Sequence, residues 1–334
     1  MRTGLLAPLA SVVIVTLASF ACSSENNTTS SSGSSGSTDQ DSGTSTPTEE
    51  AGTTDAATGD TVAPPSACPS YKPKTIIVVG DSISDVGAGD PVEKPYYRTL
   101  LVTNDDAKYA AWKGFDLATC AGLDPAAGVV KASKGGAIAT VPATNEPSNK
   151  GILLNQVTSL PTSLPGPVLV VGTIGGNDVQ RGLANVILGS PQQQQADIDK
   201  FVAGFGAAMA ELSKPDRFGA GVKVDILMTN IYDPSGGTGK FYYEPAKGKC
   251  PGALGLWPED RTTAEPLAKW NDAMKAEAAK YPKVKMLELY APFTKHSVST
   301  PEADNWFYKD CIHPSALGHH AIRGIFFSGM ATLQ

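Results

Sequence analysis

The sequence predicts an α/β domain built on a doubly wound parallel sheet. Three observations carry that expectation. Short β-branched apolar runs alternate with helical patterns five times over. Each run is almost continuously apolar, as strands covered on both faces are. Prolines stand where the intervening helices should start or stop.

Taken in order, Thr75–Val79 is the first strand and Tyr96–Trp112 the helical stretch after it. Gly128–Ala132 and Lys150–Leu160 form the second strand–helix pair, and Val168–Thr173 and Ala196–Leu212 the third. Val222–Met228 leads into Pro266–Tyr281, and Val284–Leu289 leads into the last helix, Ser315–Leu333. Pro215, Pro282 and Pro314 punctuate these helices, because proline lacks the amide that a helix interior needs. The Gln192–Gln195 run is expected to be a solvated approach to a helix rather than a binding element.

Residues upstream of this pattern do not read as packed structure. Met1-Arg2-Thr3 gives a positive start, and Leu5 to Phe20 is almost wholly apolar or small, so residues 1–21 are expected to be a secretory signal peptide. Cys22 follows Ala21 as the lipid-modified cysteine of bacterial lipoproteins does, although Ser19 stands where such signals carry a large aliphatic residue. Lipidation of Cys22 would tether the protein to a membrane, whereas ordinary cleavage would leave the thiol unmodified. Residues 22–66 are, beyond that cysteine, rich in Ser, Thr, Gly, Asp and Glu with no aromatic residue and few aliphatic ones, and such a segment cannot bury enough apolar area to offset its ordering entropy. As a flexible coil it would span roughly 35 Å. The folded domain is therefore expected over residues 67–334, on the outer cell surface or secreted, and monomeric. A net charge of −6 and the absence of a Lys/Arg cluster argue against nucleic acid as partner. The remaining cysteines, Cys68, Cys120, Cys250 and Cys311, form no CxxC pair and fit two disulfides in an oxidising compartment rather than a zinc site.

Small polar clusters fall just after the first three strands: Gly80-Asp81-Ser82, Ser133-Lys134-Gly135-Gly136 and Gly175-Gly176-Asn177-Asp178. In parallel sheets ligands bind beyond the carboxyl ends of the strands, so these clusters should converge. A serine at a strand tip needs a base in reach and a group to orient that base. Asp310-Cys311-Ile312-His313-Pro314 supplies both from one loop. Ser84 is the nearby decoy, with the ordinary role of capping the following turn. Of the other histidines, His319 and His320 fall inside the last helix, and His296 could line a pocket but has no carboxylate beside it in sequence. Oxyanion donors would be the Ser82 amide, a glycine amide of the second cluster (Gly136, next to Ala137, in preference to Gly135) and the Asn177 side chain.

Ser82 in Gly-Asp-Ser, Gly136, Asn177 in Gly-Gly-Asn-Asp and His313 in Asp-x-x-His-Pro, in this order, resemble the SGNH (GDSL-type) hydrolases. The resemblance spans about residues 75–321. It implies a three-layer α/β/α flavodoxin-like fold with a central parallel sheet of about five strands, and ester hydrolysis without a metal or organic cofactor. By matching positions, Ser82 is the nucleophile, Asp310 and His313 complete the triad, and Gly136 and Asn177 complete the oxyanion hole. Ile83 departs from the leucine that names the family. The topology then pairs the cysteines: Cys68 and Cys120 at the bottom of the sheet, Cys250 and Cys311 at the top. The long loop from Tyr232 to Pro258, with Tyr242, Tyr243 and Trp257, should border the cleft. Carboxylic ester hydrolysis, deacetylation or acyl transfer on glycans, and a binding module with a vestigial triad are the competing functions. The first two share all their catalytic residues.

Overall fold

The computed structural model describes residues 63–85, 94–104, 106–142, 151–239, 262–298, 300–301 and 304–333. The leader, Cys22 and most of the linker lie outside them, as do Cys250, Tyr242, Tyr243 and Trp257.

Five strands form one parallel sheet in the order β2-β1-β3-β4-β5. They are β1 (Thr75–Gly80), β2 (Val129–Lys131), β3 (Val168–Thr173), β4 (Val224–Thr229) and β5 (Val284–Leu287). The chain leaves β1 for β2 on one side and returns to β3 on the other, so the topological switch point lies between β1 and β3. Side-chain alternation then builds two cores. Ile76, Val78, Leu169, Val171 and Leu227 face α1 (Tyr97–Val102) and the last helix, α9 (Ala316–Met330). Ile77, Val79, Val168, Val170 and Ile226 face α3 (Leu153–Thr158), α6 (Pro191–Ser213) and α7 (Ala264–Ala278). The result is the expected three-layer flavodoxin-like arrangement.

Short helices α2 (Leu117–Ala121), α4 (Gly176–Arg181), α5 (Leu183–Leu188) and α8 (Tyr290–Lys295) complete the described elements, together with a 3₁₀ turn at Ala107–Trp112. Two expectations need correction. The helix predicted over Tyr96–Trp112 breaks after Val102, because the polar residues that follow bond locally. Asn104 Nδ2 donates to the Tyr109 carbonyl (3.2 Å), and Asp106 caps the 3₁₀ turn by accepting the Lys108 amide (2.8 Å). The Gln192–Gln195 run is not an approach to α6 but its first turn. Pro191 opens the helix, while Ser190 and Gln193 form a reciprocal capping box.

At the bottom of the sheet Cys68 and Cys120 are joined by a disulfide, with Cα atoms 5.4 Å apart. Cys311 is also disulfide-bonded, and its expected partner Cys250 lies outside the described residues.

Candidate active site

The end of β1 is shaped by glycine. Gly80 has φ 113°, and a Cβ there would lie 1.9 Å from the Thr173 carbonyl oxygen of β3. The same carbonyl accepts the Asp81 amide (3.0 Å), so β1 and β3 stay paired while the chain turns away. Gln156 of α3 holds Gly80 from the other side, its Oε1 accepting the Gly80 amide (2.7 Å) and its Nε2 donating to the Gly80 carbonyl (2.9 Å). The Ser84 and Asp85 amides both donate to the Asp81 carbonyl (3.1 and 2.7 Å). Ser82 therefore sits at the tip of a tight turn beyond the carboxyl end of β1.

The late loop reaches this tip. His313 Nε2 lies 2.9 Å from Ser82 Oγ, and His313 Nδ1 lies 2.6 Å from Asp310 Oδ2. A carboxylate can only accept, so Nδ1 carries the proton and Nε2 is left to accept from the serine hydroxyl. The other Asp310 oxygen, Oδ1, accepts the amides of Ile312 (3.0 Å) and His313 (2.9 Å), which ties the carboxylate to its own turn. Burial pushes the Asp310 carboxyl up, but the His313 hydrogen bond and charge, with those two amides, outweigh it and hold the group below its ordinary value. The loop is anchored by Tyr232, whose hydroxyl donates to the Ile312 carbonyl (2.6 Å), and by the Tyr308 amide on the His313 carbonyl (2.8 Å).

Candidate donors lie on the turns that follow β1, β2 and β3. The Gly135 amide is engaged by Asp85 Oδ2 (2.6 Å), whereas the Gly136 and Ser82 amides have no hydrogen-bond partner among the described residues. Gly136, at φ 73°, is exposed. Asn177, in the first turn of α4, gives one Nδ2 hydrogen to the Ala137 carbonyl (2.9 Å) and keeps the second. The next residue, Asp178, fastens the two loops together, accepting the Ala139 (3.0 Å) and Thr140 (2.8 Å) amides. Burial raises the Asp178 carboxyl above its ordinary value.

A buried polar chain runs behind Ser82. Asp81 Oδ1 accepts from Thr173 Oγ1 (2.7 Å), Thr173 Oγ1 meets Ser84 Oγ (2.9 Å), and Ser84 Oγ meets the Tyr97 hydroxyl (2.7 Å). Burial lifts the Asp81 carboxyl to about 6, against the opposing pull of the Thr173 hydrogen bond and the Ile83 amide. Ser84 is thus a buried link in this chain, where a turn cap was expected.

Residues 76–323 match the family GDSL-like Lipase/Acylhydrolase. The chain belongs to that family. No curated protein sequence matches this acylhydrolase. Among solved structures it is similar to a phospholipase A1 from Streptomyces albidoflavus (17% identity, 77% of this chain and 97% of that one, TM-score 0.41). A lipase from a goat rumen metagenome is similar too (15%, 78% and 99%, TM-score 0.42), as is a carbohydrate acetylesterase from Sinorhizobium meliloti (14%, 78% and 100%, TM-score 0.45). These likenesses carry no argument about its substrate.

In this GDSL-like acylhydrolase the structure brings Ser82, His313 and Asp310 together, with Asn177 and Ser82 on the wall of one pocket. The other histidines lie away from it. His296 stacks on Trp306 (ring centroids 3.9 Å apart) with Nδ1 on the Asp304 carbonyl (2.8 Å). His319 and His320 are buried in the packing of α9. The bracing residues Gln156, Asp85 and Thr173 were not predicted for these roles. Gln156 and Thr173 carry no motif, and Asp85 follows Ser82 too closely in sequence to suggest a partner on the β2 loop.

Proposed function

We propose that this acylhydrolase is a serine ester hydrolase that works through an acyl-Ser82 intermediate. The observation that carries the reading is the unbroken hydrogen-bond chain from Ser82 Oγ through His313 to Asp310. His313 Nε2 takes the hydroxyl proton as Ser82 Oγ bonds to the ester carbonyl carbon. The amides of Ser82 and Gly136 and the second Nδ2 hydrogen of Asn177 receive the oxyanion. When the carbonyl re-forms, the ester C–O bond breaks and the alcohol leaves with the proton from Nε2. Water then adds to the acyl carbon as its proton passes to His313 Nε2, and when the carbonyl re-forms the C–Oγ bond breaks, Ser82 Oγ takes the proton back from Nε2 and the acid leaves. Asp310 holds the ring in the required tautomer and stabilises its positive form.

Export is part of the proposal. The leader over residues 1–21 supports it, and so does the Cys68–Cys120 bridge, which suits an oxidising compartment. A lipid on Cys22 would hold the enzyme at an outer membrane surface.

Steady-state hydrolysis of an aryl ester tests the mechanism. Ser82→Ala and His313→Ala should each lower turnover by about 10³-fold or more, and the double variant should lose little beyond either single one, because the groups act as a unit. Losses that multiply would contradict a shared proton relay.

A further inference from the structure

A cavity of about 150 Å³ opens at Ser82 and His313 and runs between the α4–α5 segment, the end of β4 and α7. Its walls are aliphatic: Ile174, Val179, Leu183, Val186, Ile231 and Leu267. The polar side chains that also reach it are mostly engaged elsewhere. Asp233 accepts the Ser235 and Gly237 amides and the Ser235 and Thr263 hydroxyls. Asn230 gives Nδ2 to Glu288 and takes the Leu289 and Tyr290 amides on Oδ1. A buried hydroxyl without a partner among the described residues, Thr229 Oγ1, remains on this wall. A glycan or other hydroxyl-rich group would find few groups here to replace its water, whereas a hydrocarbon loses nothing by entering.

We propose that this cavity is an acyl-chain site, and that the enzyme selects esters of straight-chain acids of about four to eight carbons. The inference rests on the serine hydrolase reading, since the carbonyl must sit at Ser82 while the chain lies in the cavity. A dry apolar cavity of about this volume holds a six-carbon molecule such as benzene. An acetyl group would leave most of the space empty, and a chain of twelve or more carbons would overfill it. Binding of the remote chain is also the source from which such an enzyme lowers its barrier at the reacting carbon.

The test is kcat/KM of the full chain on p-nitrophenyl acetate, butyrate, hexanoate, octanoate, laurate and palmitate. Each methylene that finds aliphatic wall should raise kcat/KM by roughly fourfold. Hexanoate should therefore exceed acetate by more than tenfold, and laurate should fall below octanoate. Leu183→Phe, which fills the cavity, should lower the hexanoate-to-acetate ratio at least tenfold, and Leu267→Ala should move the optimum towards longer chains. Ratios within one preparation cancel any loss of folded protein. A flat profile, an optimum at acetate, or a rise continuing to palmitate would overturn the chain-length claim while leaving the hydrolase reading intact. If none of the six esters is cleaved and a fluorophosphonate leaves Ser82 unlabelled, the hydrolase reading falls and this inference with it.

Discussion

Asn177 illustrates how two roles share one side chain. One amide hydrogen fixes the Ala137 carbonyl, so the side chain is already oriented before substrate arrives. The second is left over, and in the proposed mechanism it would meet charge that develops in the transition state. Asn177→Ala should therefore lower kcat on p-nitrophenyl hexanoate by about 10²–10³-fold with KM changed only a few-fold. A rise in KM with kcat unchanged would mean that Asn177 binds the ground state instead. Asp81 shows the opposite economy. Its carboxyl is buried beside Ser82, raised to about 6, and occupied by the Thr173 hydroxyl and the Ile83 amide, so it braces the turn that carries Ser82.

Among the elements, the central strands β1, β3 and β4 were legible because burial on both faces leaves few alternatives to Val, Ile and Leu, whereas the edge strands β2 and β5 are only partly buried. Val168–Thr173 matches its predicted span, and the others shift by one to two residues at their ends. The polar clusters after β1 and β3 were legible for a related reason, since Gly80 and Gly175 mark turns that few other residues can make. Illegible were the devices that depend on distant partners. Gln156 reads as an ordinary helix residue, yet it clamps Gly80 across 76 positions of sequence. Asp85 reads as turn polarity, yet it braces the β2 loop through Gly135 and forms an ion pair with Lys131. No helix was expected between Thr173 and Ala196, where the structure has α4 and α5. Gly175 stands at φ 106° as the residue that starts α4, and α5 supplies part of the apolar cavity. Only the motif residues themselves, Ser82, Gly136, Asn177, Asp310 and His313, were singled out from the sequence.

Across the whole molecule, buried ionisable groups set how stability follows pH. His319 lies inside the α1–α9 core, edge-on to Tyr96 and stacked over Tyr97, with no partner for Nδ1 among the described residues. Burial, with a smaller push from His313, lowers it to about 3. Below about pH 6.5 the unfolded chain binds a proton there that the folded protein does not, so stability falls as pH drops from 6.5 towards 3. Asp81 acts in the other direction, since its raised value makes the fold gain stability as pH falls from 6 towards 4. Comparing urea unfolding of the protein with that of His319→Phe isolates the histidine. Going from pH 7.5 to 4.5, the unsubstituted protein should lose about 2–3 kcal/mol more than the variant. Equal losses would mean that His319 is already protonated in the fold. The central claim, however, is that this scaffold activates one serine, and intact mass spectrometry after fluorophosphonate treatment tests it most directly. The account predicts one adduct per chain, at Ser82 and absent from His313→Ala. Well-folded protein that takes no adduct, or takes it at Ser84, would contradict it.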